Sequence, residues 1–137
     1  MNPFQDIDTL VIGAGQAGLA VSQQLTARGR DHVVLERGRV AQRWRTETWD
    51  SLHLLSPNWF NTLPEWSYRG QDPDGFMPAD RFAEHLEGYA RSFTAPVVEH
   101  TAVELVRRRG DRFDVLTDAA SWRADNVVVA TGWCDRP

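Results

Sequence analysis

Gly13, Gly15 and Gly18 stand at G-x-G-x-x-G spacing, with Ala14, Gln16 and Ala17 between them, and Glu36 follows 18 positions after the last glycine. Residues of these types at these intervals bind the diphosphate of a dinucleotide. The first glycine lets the chain leave a strand in a tight turn. The second has no side chain, so a pyrophosphate can rest against its backbone, and the third lets a helix lie close on a sheet. Free N–H groups at that helix start, with the positive end of its dipole, hold the phosphates. An acid about 20 residues further on bonds the ribose hydroxyls. A glycine-rich turn that binds nothing would leave Glu36 without a reason to end the second strand.

The fingerprint has meaning only if strands and a helix position it. Ile7 to Ile12 is nearly all apolar and runs into Gly13, as a strand buried on both faces does. Leu19 to Arg28 reads as a helix with Ala17, Ala20, Val21 and Leu25 toward the sheet, small Ser22 allowing close packing, and Gly29 ending it. His32 to Leu35 is the second parallel strand. Arg37 to Pro78 is a long irregular region, of a length that in compact domains is often functional. It holds Trp44, Trp49, Trp59 and Trp66, which either fill a satellite core or wall a flat aromatic site. Pro78 suits the first turn of another helix, whose stripe Phe82, Leu86, Tyr89 and Phe93 packs on the sheet. His85 beside the stripe reads as a boundary residue. Val97-Val98 is a third parallel strand. Ala102 to Arg107, Phe113 to Thr117 and a short piece near Trp122 read as an antiparallel meander, and Val127 to Ala130 as the fourth parallel strand. The predicted class is α/β, a Rossmann-type parallel sheet in the order 3-2-1-4 with helices and an antiparallel β-meander.

The composition narrows the function. The chain has 137 residues, 42% of them hydrophobic, and a net charge of -4. One domain with a real core fits, and disorder does not. The one basic run, Arg107-Arg108-Arg109, precedes Gly110-Asp111 and reads as a strand end and turn, so a nucleic-acid partner is not expected. No apolar run approaches the ~20 residues of a membrane span. The N-terminus carries no signal-peptide pattern, and the single cysteine, Cys134, cannot form an intrachain disulfide. A cytoplasmic protein acting on a small-molecule substrate is the expectation.

Gly13 to Leu19, Val34-Leu35-Glu36-Arg37, Trp44-Arg45, Trp49-Asp50-Ser51-Leu52, Asn58 to Pro64 and Val128 to Gly132 together resemble the N-terminal part of FAD-dependent enzymes with two dinucleotide-binding domains. Within these the chain is similar to the flavin-containing and Baeyer–Villiger monooxygenases, bacterial members above all. The Trp44-to-Pro64 block is the narrower signal. The resemblance implies that Gly13, Ala14, Gly15, Gln16, Ala17 and Gly18 surround the FAD pyrophosphate, that Glu36 binds the adenosine ribose and that Arg37 flanks the adenine. It puts Trp44 and Arg45 near the flavin and Val103 at the adenine through its backbone. Ala130, Thr131 and Gly132 form the turn toward a second domain. A surface charge is the lesser alternative for Arg45, whereas a satisfied loop histidine is the preferred reading of His53. Cys134 as a covalent flavin link is disfavoured.

The chain departs from the family in three places. Ala41-Gln42-Arg43 stands where a glycine pair often precedes the tryptophan. Leu55 stands where animal-type members carry an asparagine near the flavin. The sequence also contains no second glycine fingerprint. Residues 1–137 therefore read as the N-terminal part of an FAD-binding domain, without the NADPH-binding domain and the strand that closes the flavin site, which a downstream segment or second chain would supply. In the complete enzyme the resemblance implies FAD, NADPH and O2-dependent oxygenation of a small organic substrate. The alternatives are a fragment of an FAD-dependent reductase of the pyridine-nucleotide–disulfide type and a truncated, non-catalytic dinucleotide-binding protein.

Overall fold

The computed structural model describes residues 3–132. Its strands are β1 (Phe4–Ile12), β2 (His32–Leu35), β3 (Val97–Val98), β4 (Val103–Arg109), β5 (Arg112–Thr117) and β6 (Ser121–Val129). Its α-helices are α1 (Gln16–Ala27), α2 (Gln42–Thr46) and α3 (Ala79–Ser92). The strands form one six-stranded sheet in the order β3-β2-β1-β6-β5-β4. β3, β2, β1 and β6 are parallel, and β5 and β4 continue the sheet antiparallel. The expected 3-2-1-4 order and the meander beyond the fourth strand are both present.

Parity along the strands divides the core. Val11 and Val34 face a layer built from Leu19 of α1 and from Phe82, Leu86, Tyr89 and Ala90 of α3. Leu10, Val33 and Leu35 face the other way, onto Val115 and Ala124 of the antiparallel part. Both faces are covered at the C-terminal end of β1 and in β2, which is why Leu10-Val11-Ile12 and Val33-Val34-Leu35 are apolar.

The fourth parallel strand and the last meander piece are a single element, where two were expected. β6 pairs antiparallel with β5 through Ser121 to Ala124 and parallel with β1 from Phe4↔Ser121 to Ile12↔Val129. Charged residues hid this continuity, and they are cross-strand partners. Arg123 Nε donates to buried Asp114 Oδ1 (2.8 Å) and its guanidinium lies 4.3 Å over the Phe4 ring. Arg112 bonds Asp125 (2.8 Å) and Asp6 (2.9 Å). The hydrogen bond from Arg123, aided by Arg109, holds the Asp114 carboxyl below the ordinary carboxylate range despite its burial. The same pairings extend β1 back to Phe4.

The helices also differ in detail. α1 starts at Gln16 and buries Gly18, Leu19, Ser22 and Gln23, while Ala17 faces solvent and Ala20, Val21 and Leu25 are half-buried. Pro78 caps α3 from just outside its first turn, and of the expected stripe Phe82, Leu86 and Tyr89 are buried while Phe93, at the C-cap, is half-buried. The region from Arg37 to Pro78 holds α2, a 3-10 turn at Asn58–Phe60 and two isolated bridges, His53↔Pro78 and Leu63↔Trp66.

One buried polar contact ties α1 to β2. His32 Nδ1–H donates to the Arg30 carbonyl (3.0 Å), which leaves Nε2 to accept the Ser22 hydroxyl (2.7 Å). Ser22→Ala strands that nitrogen out of water, a loss of about 1–3 kcal/mol. Urea denaturation of the variant is expected to show a lower midpoint with an unchanged slope.

Candidate functional site

β1 ends against three backbone neighbours. Gly13 N–H donates to the Leu35 carbonyl (2.9 Å), and Ala130 N–H donates to the Ile12 carbonyl (2.9 Å). Gly13 has φ +108°, and a Cβ there would stand 2.3 Å from the Ala130 carbonyl oxygen. A Cβ on Gly18 would stand 1.8 Å from the Gly13 carbonyl oxygen. Around Gly15 the situation reverses, since a Cβ there would meet nothing within 4 Å. Gly15 occupies the N-cap of α1, without a side-chain cap and with no acid in the first turn. The first N–H groups of this helix, which have no partners within the helix itself, thus open onto free space beside a glycine.

Glu36 reaches this turn from the end of β2. Its Oε1 accepts the Ala14 N–H (3.0 Å) and its Oε2 the Gly38 N–H (2.7 Å). The Thr101 and His100 N–H groups donate to the Glu36 and Gly38 carbonyls (2.9 Å each), so the loop after β3 is fastened to the loop after β2. Glu99 adds to this by accepting the Val40 N–H (2.8 Å).

A cavity of about 570 Å³ begins at Gln16 and is walled by Trp44, Phe82, Phe60 and the Leu52-to-Ser56 segment, with Asn61 beneath. Its size and apolar lining match those of small-molecule sites. Trp44 meets Phe82 edge to face at 4.9 Å. The polar groups on the walls are Gln16, His53, Ser56 and Asn61, with the Ser56 hydroxyl donating to Asn61 Oδ1 (2.6 Å).

The structure brings together the Gly13–Gly18 turn, Glu36, Trp44 and Ala130. Arg45 lies outside the cavity: its Nε donates to the Val40 carbonyl (3.1 Å) and its Nη2 pairs with Glu87 of α3 (2.5 Å), so it fastens α2 to α3. The pairing lowers the Glu87 pKa. Arg37 is exposed and pairs with Glu47 (3.7 Å). Val103 opens β4 and packs on the Leu10–Leu35 face of the core. Thr131 and Gly132 are exposed, Gly132 with φ +73°. Cys134 lies outside the described residues. His53 donates to the Ser51 carbonyl (3.1 Å), as a loop histidine would, yet also lines the cavity. Leu55 is 96% exposed at the cavity wall. The tryptophans divide: Trp44 and Trp66 pack on the core, and Trp49 and Trp59 are exposed. Sequence reasoning missed Phe82, Ser56 and Asn61 as wall residues. Phe82 was legible only as part of a helical stripe, and Asn61 only as part of the Asn58-to-Pro64 block. Among the described residues no His, Cys, Asp or Glu cluster suits a metal, and no helix is long and apolar enough to cross a membrane.

The family model described as pyridine nucleotide-disulphide oxidoreductase matches residues 10–137. The chain belongs to this family. An uncharacterized CzcO-like oxidoreductase of Geobacillus kaustophilus is 37% identical over 132 residues, covering 96% of this chain and 37% of the relative. The rice indole-3-pyruvate monooxygenase YUCCA4 is 37% identical over 123 residues, 84% of this chain and 28% of its own. Among solved structures, a flavin-containing monooxygenase from Stenotrophomonas maltophilia superposes with a TM-score of 0.83 at 29% identity, over 98% of this chain and 42% of that one. A bacillithiol disulfide reductase from Bacillus cereus shares the fold with a TM-score of 0.87 at 22% identity, over 97% of this chain and 42% of that one. The resemblance to flavin monooxygenases read from the sequence is borne out. The chain spans under half the length of these family members.

The turn's geometry separates its glycines. Gly18→Ala forces a methyl into the Gly13 carbonyl, and overpacking of this kind costs about 1–3 kcal/mol or more. Gly15→Ala has free space and stays within about 1 kcal/mol of the parent. Thermal melts of the two variants are expected to differ in that order, and equal melting temperatures would contradict the packing described.

Proposed function

We propose that the chain is the FAD-binding portion of a monooxygenase-like flavoprotein. One observation carries this reading: an uncapped helix start at an open Gly15 adjoins, through Gln16, an aromatic-walled cavity. The residues fit the cofactor. The N–H groups of the turn would hold the pyrophosphate, Glu36 the ribose hydroxyls, and the Trp44–Phe82 cavity the ring system, with Gln16, Ser56 and Asn61 as the polar groups there. When bound, FAD would supply the redox chemistry of an NADPH- and O2-dependent oxygenation of a small organic substrate.

The chain's own part is to bind, orient and exclude water. Diphosphate charge meets the helix dipole and unpaired donors. Glu36 is already aimed by the Ala14 and Gly38 N–H groups, so its remaining acceptor capacity is pre-oriented. Trp44, Leu52, Leu54 and Phe82 keep one side of the cavity apolar. Trp49, Trp59, Phe60 and Phe76 are exposed, and Phe60, which lines the cavity, meets Trp59 edge to face at 5.7 Å, apolar surface of the kind that marks an interaction site. We assign that surface to the remainder of the enzyme, including the NADPH site, on a downstream segment or second chain. Relatives of bacterial origin and the single cysteine support a bacterial cytoplasmic setting.

The test is a titration of the chain with FAD, ADP and 2′-phospho-ADP. ADP is expected to bind, and 2′-phospho-ADP to bind at least about tenfold more weakly, because its added charge meets the Glu36 carboxylate. Gly15→Val is expected to abolish ADP and FAD binding while leaving the melting temperature within a few degrees. Retention of parental FAD affinity by Gly15→Val would place the cofactor elsewhere.

A further inference from the structure

The cavity wall made by Ser56, Phe60 and Asn61 continues to Trp66, and two hydrogen bonds fasten that continuation to α3. The Tyr89 hydroxyl donates to the Pro64 carbonyl (2.9 Å), and the Trp66 indole Nε1–H donates to His85 Nδ1 (3.3 Å). Reciprocal backbone bonds between Leu63 and Trp66 (2.8 and 2.9 Å) close the turn between wall and anchor. The Trp66 ring fits over Gly88, where a Cβ would approach it to 3.4 Å. His85 also stacks on Phe82 at 6.0 Å, and Phe82 lines the cavity. One imidazole therefore contacts both Phe82 of the cavity wall and Trp66 at the end of the segment that continues from Asn61.

An indole N–H only donates, so His85 Nδ1 must accept, and the ring is neutral with its proton on Nε2. That Nε2 is buried and has no hydrogen-bond partner among the described residues. An imidazolium has no acceptor to offer. We propose that His85 is a positioning residue that makes the ring end of the site acid-sensitive: protonation turns Nδ1 into a donor facing the Trp66 indole N–H and breaks the Trp66 anchor of residues 56–66 to α3, while the Tyr89 anchor stays. This rests on the flavin reading of the cavity.

The surroundings favour such a switch. Burial pushes the His85 pKa below its ordinary 6.5, with only the Asn61 backbone acting the other way and no charged side chain contributing. On α3, Arg81 and Glu84 pair with each other (3.8 Å) on the exposed side. From the loop, Glu65 acts on Tyr89, whose pKa burial and that charge push up to about 12, so the second anchor does not titrate in the acid range. His53 is the histidine that lines the cavity itself. The sign follows from linkage. With a folded pKa below 6.5, the unfolded or released state takes up the proton more readily than the closed wall does. Closure is at full strength above about pH 6.5 and weakens as the pH falls through and below that value.

The experiment measures FAD and ADP affinity of the chain from pH 7.5 to 5, with the Trp66 indole N–H resonance followed by NMR. FAD affinity is expected to fall about five- to tenfold while ADP affinity stays within about twofold, the ratio expected for loss of one buried hydrogen bond at the ring end only. His85→Gln keeps a neutral acceptor for Trp66 and is expected to give a flat FAD profile. Trp66→Phe removes the opposing donor and is expected to give a flat profile at weaker affinity. A His85→Gln or Trp66→Phe profile as steep as the parent's overturns the proposal and points to His53. A parallel fall for FAD and ADP also overturns it. If the chain binds ADP but not FAD at pH 7.5, the flavin reading fails. The indole resonance then decides the switch alone: movement with His85 protonation supports it, and a static resonance rejects it.

Discussion

The Cα of Gly18 lies against the carbonyl of Gly13, and Gly13 lies against the carbonyl of Ala130. Three backbone segments, from the end of β1, the start of α1 and the end of β6, are stacked with no room for a side chain between them. Everything else at the site follows from this stack. It draws α1 down onto the sheet and aims its unpaired N–H groups past Gly15. It also aligns the ends of the parallel strands, where ligands of open α/β sheets bind. The order β3-β2-β1-β6 is its consequence in topology, because Gly13 and Ala130 can touch only if β1 and β6 are neighbours.

Around the stack, polar groups do the fastening and aromatic groups do the shaping. Glu36 spans the turn and the next loop by accepting two backbone N–H groups, and Glu99 and the 100–101 segment hold that loop in place. Arg45 with Glu87 locks α2 onto α3, which fixes Trp44 against Phe82. The cavity is thus bounded by side chains whose positions depend on ion pairs and hydrogen bonds outside it. Its two ends are built differently. The end at the glycine turn is built of backbone, whereas the end at Trp44 and Phe82 is built of side chains.

Much of this was legible because it is local. The G-x-G-x-x-G spacing, the apolar run before it and the acid after β2 each report a constraint acting within a few residues. The Phe82-to-Phe93 stripe gave α3 for the same reason. What was not legible depends on partners far along the chain. β6 reads as two pieces because Arg123 and Asp125 look like loop residues until Asp114 and Arg112 are placed beside them. Arg45 reads as a site cation until Glu87, 42 positions later, is seen to hold it. Phe82 reads as core, and it is core on one side and cavity wall on the other. Trp49 and Trp59 differ from Trp44 and Trp66 by burial alone, which tryptophan spacing does not encode.

The central claim is that one continuous site runs from the glycine turn into the Trp44–Phe82 cavity. The most direct measurement is an amide and indole NMR map of the chain with ADP and then with FAD. The account predicts that ADP moves the Gly15, Gln16 and Ala17 amides and leaves the Trp44 indole where it is, and that FAD moves all four. Movement of the exposed Trp49 and Trp59 indoles with FAD, without movement of the glycine-turn amides, would contradict it.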